Sequence, residues 1–107
     1  MKKRHDAVLV RDIVEASELA QSFLQGVALP VFLNDMLRQA GVCRQLEIIG
    51  EAANRLSPQF RSQHPAVPWK KMIAMRNILI HMYEEVDVEE LWATVKNDLP
   101  KLVTHLA

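Results

Sequence analysis

Residues 42–56 read VCRQLEIIGEAANRL, and this stretch decides the fold class. Its apolar positions recur at intervals of three and four residues, at Val42, Leu46, Ile49, Ala53 and Leu56. Such intervals match the turn of an α-helix and place these side chains on one face. With the apolar residues before it, the stretch predicts a helix from about Val31 to Arg55, with Gly41 as a weak point.

The same periodicity extends over most of the chain. An N-terminal helix is predicted from the apolar positions Leu9, Ile13, Ala16, Ala20, Phe23 and Val27. Ser57-Pro58 is typical of a capped start of a short helix, and a further helix is predicted from Trp69 to about Tyr83. Asp87 and Glu90 fit the cap of a last helix, which Pro100 kinks or restarts. The sequence therefore predicts one all-α domain over residues 1–107, an antiparallel helical bundle of four to five helices.

Composition restricts the kinds of protein this can be. Of the 107 residues, 50% are hydrophobic and 24% are charged, which is typical of a folded domain. The single cysteine, Cys43, excludes an intramolecular disulfide and a thiolate zinc site, and it suits a reducing compartment. The apolar run after the basic N-terminus is too short for a signal peptide, and no stretch could span a bilayer. We therefore expect a cytoplasmic protein without membrane attachment, metal or cofactor.

A formal net charge of zero conceals an uneven distribution of charge. Residues 36–83 carry seven basic side chains against two acidic ones, whereas residues 84–107 carry two basic against six acidic ones. The basic middle could attract a polyanion, and the acidic end could dock on a basic partner. The alternative is that these charges only solvate helix faces.

The helix predicted after Pro68 carries an arginine where an apolar residue is expected. Trp69, Ile73, Arg76, Ile80 and Tyr83 share one stripe, and a buried arginine needs a partner or a function. His81 lies about 140° around an ideal helix from Arg76, so a straight helix does not aim both at one point. Either the length of the arginine closes the gap, or the helix deforms near His81, or two chains build the site.

An arginine and a histidine together suit the cleavage of RNA. Histidine exchanges a proton near neutral pH, and arginine binds a phosphate through two parallel hydrogen bonds. The reaction needs removal of the 2′-hydroxyl proton, stabilisation of the pentacoordinate phosphate and protonation of the leaving 5′-oxygen. Because one chain offers a single suitable histidine, a symmetric dimer is an attractive source of two.

The segment from Arg76 to Tyr83, RNILIHMY, resembles the R-x4-H-x-Y signature of the HEPN superfamily, specifically its HepT-like toxin branch. Residues 46–57 are similar to the second-helix segment of that family. The loop from His64-Pro65 to Pro68-Trp69 is similar to its loop before the catalytic helix, and residues 86–100 to its C-terminal part. The resemblance covers about Arg11 to Leu102.

This resemblance implies an all-α bundle that forms a homodimer, with the two R-x4-H segments facing one another in a cleft. The implied activity is that of a metal-independent endoribonuclease, the toxin of a toxin–antitoxin pair, with RNA and not DNA as its substrate. The implied antitoxin is a minimal nucleotidyltransferase (MNT), which silences the toxin by AMPylation of the motif tyrosine. Mapped onto this chain, Arg76 would bind the scissile phosphate and His81 would be the acid or base. Asn77 would support His81 or a phosphate oxygen, and Tyr83 would receive the AMP.

A non-catalytic module is the alternative to an enzyme. In that case the dimer would bind RNA or a nucleotide, or serve as a scaffold for the nucleotidyltransferase, and the Arg–His pair would be residual. Intact Arg76 and His81 favour the enzyme.

Overall fold

The computed structural model describes the backbone of residues 2–107 and the side chains from His5 onward. The basic side chains of residues 2–4, which bear on the signal-peptide argument, lie outside the described part. The helices, in chain order, are α1 (Lys2–Leu24), α2 (Leu29–Phe32), α3 (Met36–Arg55), α4 (Pro58–Ser62), α5 (Trp69–His81), α6 (Val88–Ala93) and α7 (Leu99–Leu106). A 3₁₀ turn (Tyr83–Glu85) precedes α6, and a π-helical turn (Thr94–Asp98) joins α6 to α7. The predicted all-α bundle is confirmed.

The core lies where the apolar stripes of α1, α3, α5 and the α6–α7 segment meet. Leu9, Ile13 and Leu24 of α1 are buried, as are Leu46 and Ile49 of α3. Leu79 of α5 and Leu91, Val95, Leu99 and Leu102 of the C-terminal segment complete this core. Each large aliphatic side chain buried in this way stabilises the fold by about 1.5–3 kcal/mol. Among the described residues, none of the helices is both long enough and apolar enough to cross a membrane.

The helix expected from Val31 to Arg55 is two helices. The short helix α2 ends at Phe32, and α3 begins at Met36. Asp35 caps the start of α3, because its carboxylate accepts the backbone N–H of Arg38 at 3.0 Å. An aspartate that caps a helix from within an apolar run is easily missed, since periodicity alone does not register the cap. Gly41 is no weak point, because α3 passes through it; a Cβ there would lie 3.1 Å from the Phe23 ring.

The other predicted helix ends agree more closely with the structure. The Ser57 hydroxyl accepts the Phe60 N–H, and Asp87 accepts the N–H groups of Glu89 and Glu90, so both predicted caps are confirmed. The π-helical turn at residues 94–98 lies just before Pro100 and accommodates one extra residue there. Pro100 itself lies in the first turn of α7, so the helix restarts at this proline.

α5 is shorter than predicted, and this affects the candidate site. It ends at His81, because Met82 leaves helical geometry with φ −136° and ψ 47°. Tyr83 therefore begins the 3₁₀ turn and is not the last residue of the helix. Its expected place on the same helical stripe as Arg76 is therefore wrong.

Candidate active site

Arg76 projects from α5 against α3, and its guanidinium group is held from two sides. Its Nη2 donates to Glu51 Oε2 at 2.8 Å, and its Nη1 donates to Asn77 Oδ1 at 3.3 Å. The Arg76 side chain is 24% exposed, so it is mostly buried but still reaches solvent. A planar guanidinium group fixed in this way retains the fork geometry that suits bidentate binding of a phosphate.

Gly50 allows α5 to come close enough for this contact. A Cβ at position 50 would lie 2.3 Å from the Arg76 Cβ and 2.8 Å from the backbone oxygen of Met72. Real Cβ atoms do not approach other atoms so closely, so any larger residue would push the two helices apart. The arginine stem therefore packs directly over the backbone of α3 at this glycine.

The third nitrogen of the guanidinium group, Nε, differs from the other two in its hydrogen bonding. Arg76 Nε is buried and has no hydrogen-bond partner among the described residues. A buried donor without a partner costs about 1–3 kcal/mol, and such groups are often found at functional sites. An anion bound at Arg76 could accept this hydrogen bond.

His81 stands at the last position of α5 and is exposed. The described hydrogen bonds of Arg76 go to Glu51 and Asn77 and not to His81, so the length of the arginine does not close the gap between the two side chains. Of the three routes to a joint site, the helix does change at His81, yet none of the described hydrogen bonds joins the pair. The amide oxygen of Asn77 accepts a hydrogen bond from Arg76, and none of the described hydrogen bonds joins Asn77 to His81.

Tyr83 is open to solvent, with 59% of its surface exposed. Two apolar side chains beside the candidate site are also exposed, Ile80 at 43% and Met82 at 44%. Glu84 and Glu85 follow Tyr83 directly and are exposed as well. The surface around His81 is therefore partly apolar and becomes acidic beyond Tyr83.

A groove runs between α1, α3 and α5, with Arg76 on one wall. Leu9, Ile48 and Ile80 provide apolar parts of its lining, and charged residues of all three helices provide most of the rest. A second cavity lies between α3, α5 and the C-terminal segment, and most of the residues that line it are apolar; the two charged ones, Lys71 and Asp98, are paired with each other at 2.7 Å.

Three other residues with reactive or aromatic side chains, Trp69, His64 and Cys43, make contacts within the fold. Trp69 is buried and donates its indole N–H to the backbone oxygens of His64 and Arg61, so it is not available to stack on bases. The ring of His64 stacks on Phe60 in the loop. Cys43 is in the core, where burial raises its pKa to about 11 with a smaller contribution from the charge of Glu47. None of the described residues forms a group of three or more potential metal ligands.

Two residues that shape this site were not singled out from the sequence. Glu51 is one of only two acidic residues within the basic stretch 36–83, and that isolation was the available signal. Gly50 lies within a helix where glycine is unfavourable, and such a glycine often marks a close packing contact. Pairing either residue with Arg76 requires knowledge of how α3 and α5 pack.

Comparison with known proteins identifies what this chain is similar to. The profile of the family described as ribonuclease HepT-like matches residues 13–107. A Thermococcus cleftensis protein named a probable ribonuclease HepT is 46% identical over 102 residues, covering 95% of this chain and 92% of the relative. A Methanocaldococcus jannaschii protein named a candidate RNase is 40% identical over 102 residues, covering 95% and 94%. No solved structure matches the chain.

Proposed function

The chain belongs to the HepT-like ribonuclease family, and from this premise we propose that it is a metal-independent endoribonuclease toxin. The observation that carries the proposal is the fixed guanidinium group of Arg76, which has a free donor and lies about 1.4 helix turns from an exposed imidazole. A fixed cation and a nearby proton-transfer group are what RNA cleavage without a metal requires.

The proposed reaction assigns each group one step. His81 takes the proton of a ribose 2′-hydroxyl, and the 2′-oxygen attacks the adjacent phosphorus. Arg76 stabilises the negative charge on the pentacoordinate phosphate with its parallel N–H groups. The bond from phosphorus to the 5′-oxygen then breaks, a second acid protonates that oxygen, and the products are a 2′,3′-cyclic phosphate and a 5′-hydroxyl end.

A homodimer would supply the second acid. Arg76 and His81 of one chain do not share a described contact, and the exposed Ile80 and Met82 flank His81 with apolar surface that a second copy would cover. We place the two Arg76–His81 pairs on opposite sides of one cleft. A monomer in solution, or a dimer with the two pairs on opposite outer faces, would contradict this arrangement.

The test of the activity is an RNA cleavage assay on the purified chain in EDTA. Wild type should cleave, and His81→Ala should lose about 10²–10⁴-fold in rate, because one acid–base group is removed. His105→Ala is the matched control, since His105 is an exposed histidine on α7. Equal rates for wild type and His81→Ala would exclude His81 from catalysis. RNA binding without any cleavage would favour the binding-only module.

Tyr83 is the proposed control point, with an MNT-type nucleotidyltransferase antitoxin as the partner. The Tyr83 oxygen would attack the α-phosphorus of ATP, pyrophosphate would leave, and the hydroxyl proton would pass to a base of the transferase. Exposure of Tyr83 supports access, and the acidic residues after it suit a basic partner surface. The attached phosphodiester and adenosine would fill the cleft and repel the RNA backbone.

Intact-mass measurement tests this regulation. After incubation with ATP and the nucleotidyltransferase, wild type should gain the mass of AMP, whereas Tyr83→Phe should not. An unmodified wild type, or AMP on another residue, would show that Tyr83 is not the control point.

A further inference from the structure

The groove between α1, α3 and α5 is lined by three arginines, of which the proposed reaction uses one. Arg44 and Arg55 of α3 line the groove together with Arg76 of α5. On a regular helix, positions 44, 51 and 55 fall within an arc of about 40°, so both α3 arginines and Glu51 share one face. Arg76 is bound to Glu51 and lies over Gly50, and it therefore stands between Arg55 and Arg44.

The spacing of these arginines suits a polyanion better than a small ligand. Positions 44 and 55 are about 16 Å apart along the axis of α3. The phosphates of a stacked nucleic-acid strand follow one another at about 3.4 Å along its axis, so the distance spans several nucleotides. A free phosphate or a mononucleotide would occupy only one of the three positions.

The contacts of the outer arginines are easily exchanged. Arg44 is 68% exposed and reaches Glu47 at 3.5 Å, the upper end of the hydrogen-bond range. Arg55 is exposed, and its guanidinium group bonds the His5 imidazole at 3.0 Å. An exposed ion pair such as Arg44–Glu47 is worth only about 0–1 kcal/mol, and the Arg55–His5 contact is an exposed hydrogen bond, so a phosphate can replace both partners.

Carboxylates also line the groove, namely Asp12, Glu47 and Glu51. They balance the arginines in the free protein, so the groove does not attract polyanions merely by excess charge. An RNA backbone would have to exchange phosphates for carboxylates at defined positions, which ties binding to the placement of the arginines.

We propose that this groove is the track of the RNA backbone, in which Arg55 and Arg44 bind phosphates on either side of the phosphate at Arg76. The proposal rests on the proposed function, since it takes the Arg76 phosphate as the scissile one. Neither outer arginine takes part in the chemical step; both position the strand.

The test measures binding of a fluorescein-labelled single-stranded oligouridylate to the His81→Ala chain across a range of potassium chloride concentrations. Arg44→Gln and Arg55→Gln, each added to that chain, should weaken binding at least about threefold. Each should also lower the slope of log affinity against log salt by about 0.7, the value for one lost contact to a single strand. Arg11→Gln is the matched control, because Arg11 is an exposed arginine of α1 outside the groove.

The outcomes separate the track from the activity. If Arg44→Gln and Arg55→Gln behave like Arg11→Gln while the chain with His81 intact cleaves RNA, the track is wrong and the proposed function stands. If binding depends on Arg44 and Arg55 but no RNA is cleaved, the track stands and the nuclease assignment fails. Absence of any RNA binding or cleavage overturns both, and binding of an acidic peptide in place of RNA assigns the groove to a protein partner.

Discussion

Arg76 and His81 lie five residues apart on α5, and the protein fixes them to very different degrees. Arg76 packs over Gly50, bonds Glu51 and Asn77, and is mostly buried. His81 ends the helix among exposed side chains, and the chain leaves helical geometry at the next residue. One half of the motif is thus held in place within a single chain, whereas no described hydrogen bond fixes the side chain of the other half. The difference favours a site that two copies complete.

At the fixed half, the largest expected effect of a substitution is on the rate of cleavage. Arg76→Ala should lower cleavage by about 10²–10³-fold, as loss of a charge-stabilising donor does. Arg76→Lys should be almost as poor, because a point charge does not replace a planar fork that also bonds Glu51 and Asn77. Single-turnover cleavage rates measure both. Near-wild-type cleavage by Arg76→Lys would show that the fixed geometry of the guanidinium group is unimportant.

A second prediction uses two glycines of α3 as a matched pair. Gly50→Ala should destabilise the fold by about 1–3 kcal/mol, because its Cβ would lie 2.3 Å from the Arg76 Cβ. Gly41→Ala should stay close to wild type, since the half-buried Phe23 ring at 3.1 Å can move slightly and alanine favours the helix. Denaturant unfolding measures the difference. Equal stability of the two variants would mean that α3 and α5 do not cross closely at Gly50.

Substitution of Glu51 should lower cleavage less than substitution of Arg76, and it should act on kcat and not on KM. Glu51→Gln keeps the shape but removes the charge that orients Arg76, so kcat should fall about tenfold, the equivalent of about 1.4 kcal/mol. Because one negative charge leaves the groove, KM should not rise. Steady-state kinetics on a fixed RNA oligonucleotide separate the two constants. A raised KM with unchanged kcat would show that Glu51 does not position Arg76 for the chemical step.

The smallest effect on stability is expected at the exposed half. His81→Ala and Tyr83→Phe should each change the free energy of unfolding by no more than about 0.5 kcal/mol, because both side chains are exposed. Denaturant unfolding of the two variants beside Gly50→Ala gives the comparison. A loss near 2 kcal/mol for either variant would mean that this end of α5 is fixed by contacts within the chain.

Periodicity predicts most of the fold because the apolar stripes that mark α1, α3 and α6 in the sequence are also the faces that are buried. Periodicity fails where a single polar residue sets the start of a helix, as Asp35 does when it caps α3 inside an apolar stretch. It also fails at Met82, where the helix ends without a glycine or proline to announce it. The motif residues Arg76 and His81 can be read from the sequence, whereas Glu51 and Gly50 cannot, because their contact with Arg76 depends on how two helices pack.

The central claim is that each active site needs both copies of the chain. Its most direct test mixes wild type with an equal amount of His81→Ala, lets the subunits exchange fully, and measures RNA cleavage at constant total protein. If each site uses a histidine from both chains, only wild-type pairs are active, and random pairing leaves about a quarter of the wild-type rate. About half of the wild-type rate would show that each chain cleaves with its own histidine and would contradict the account.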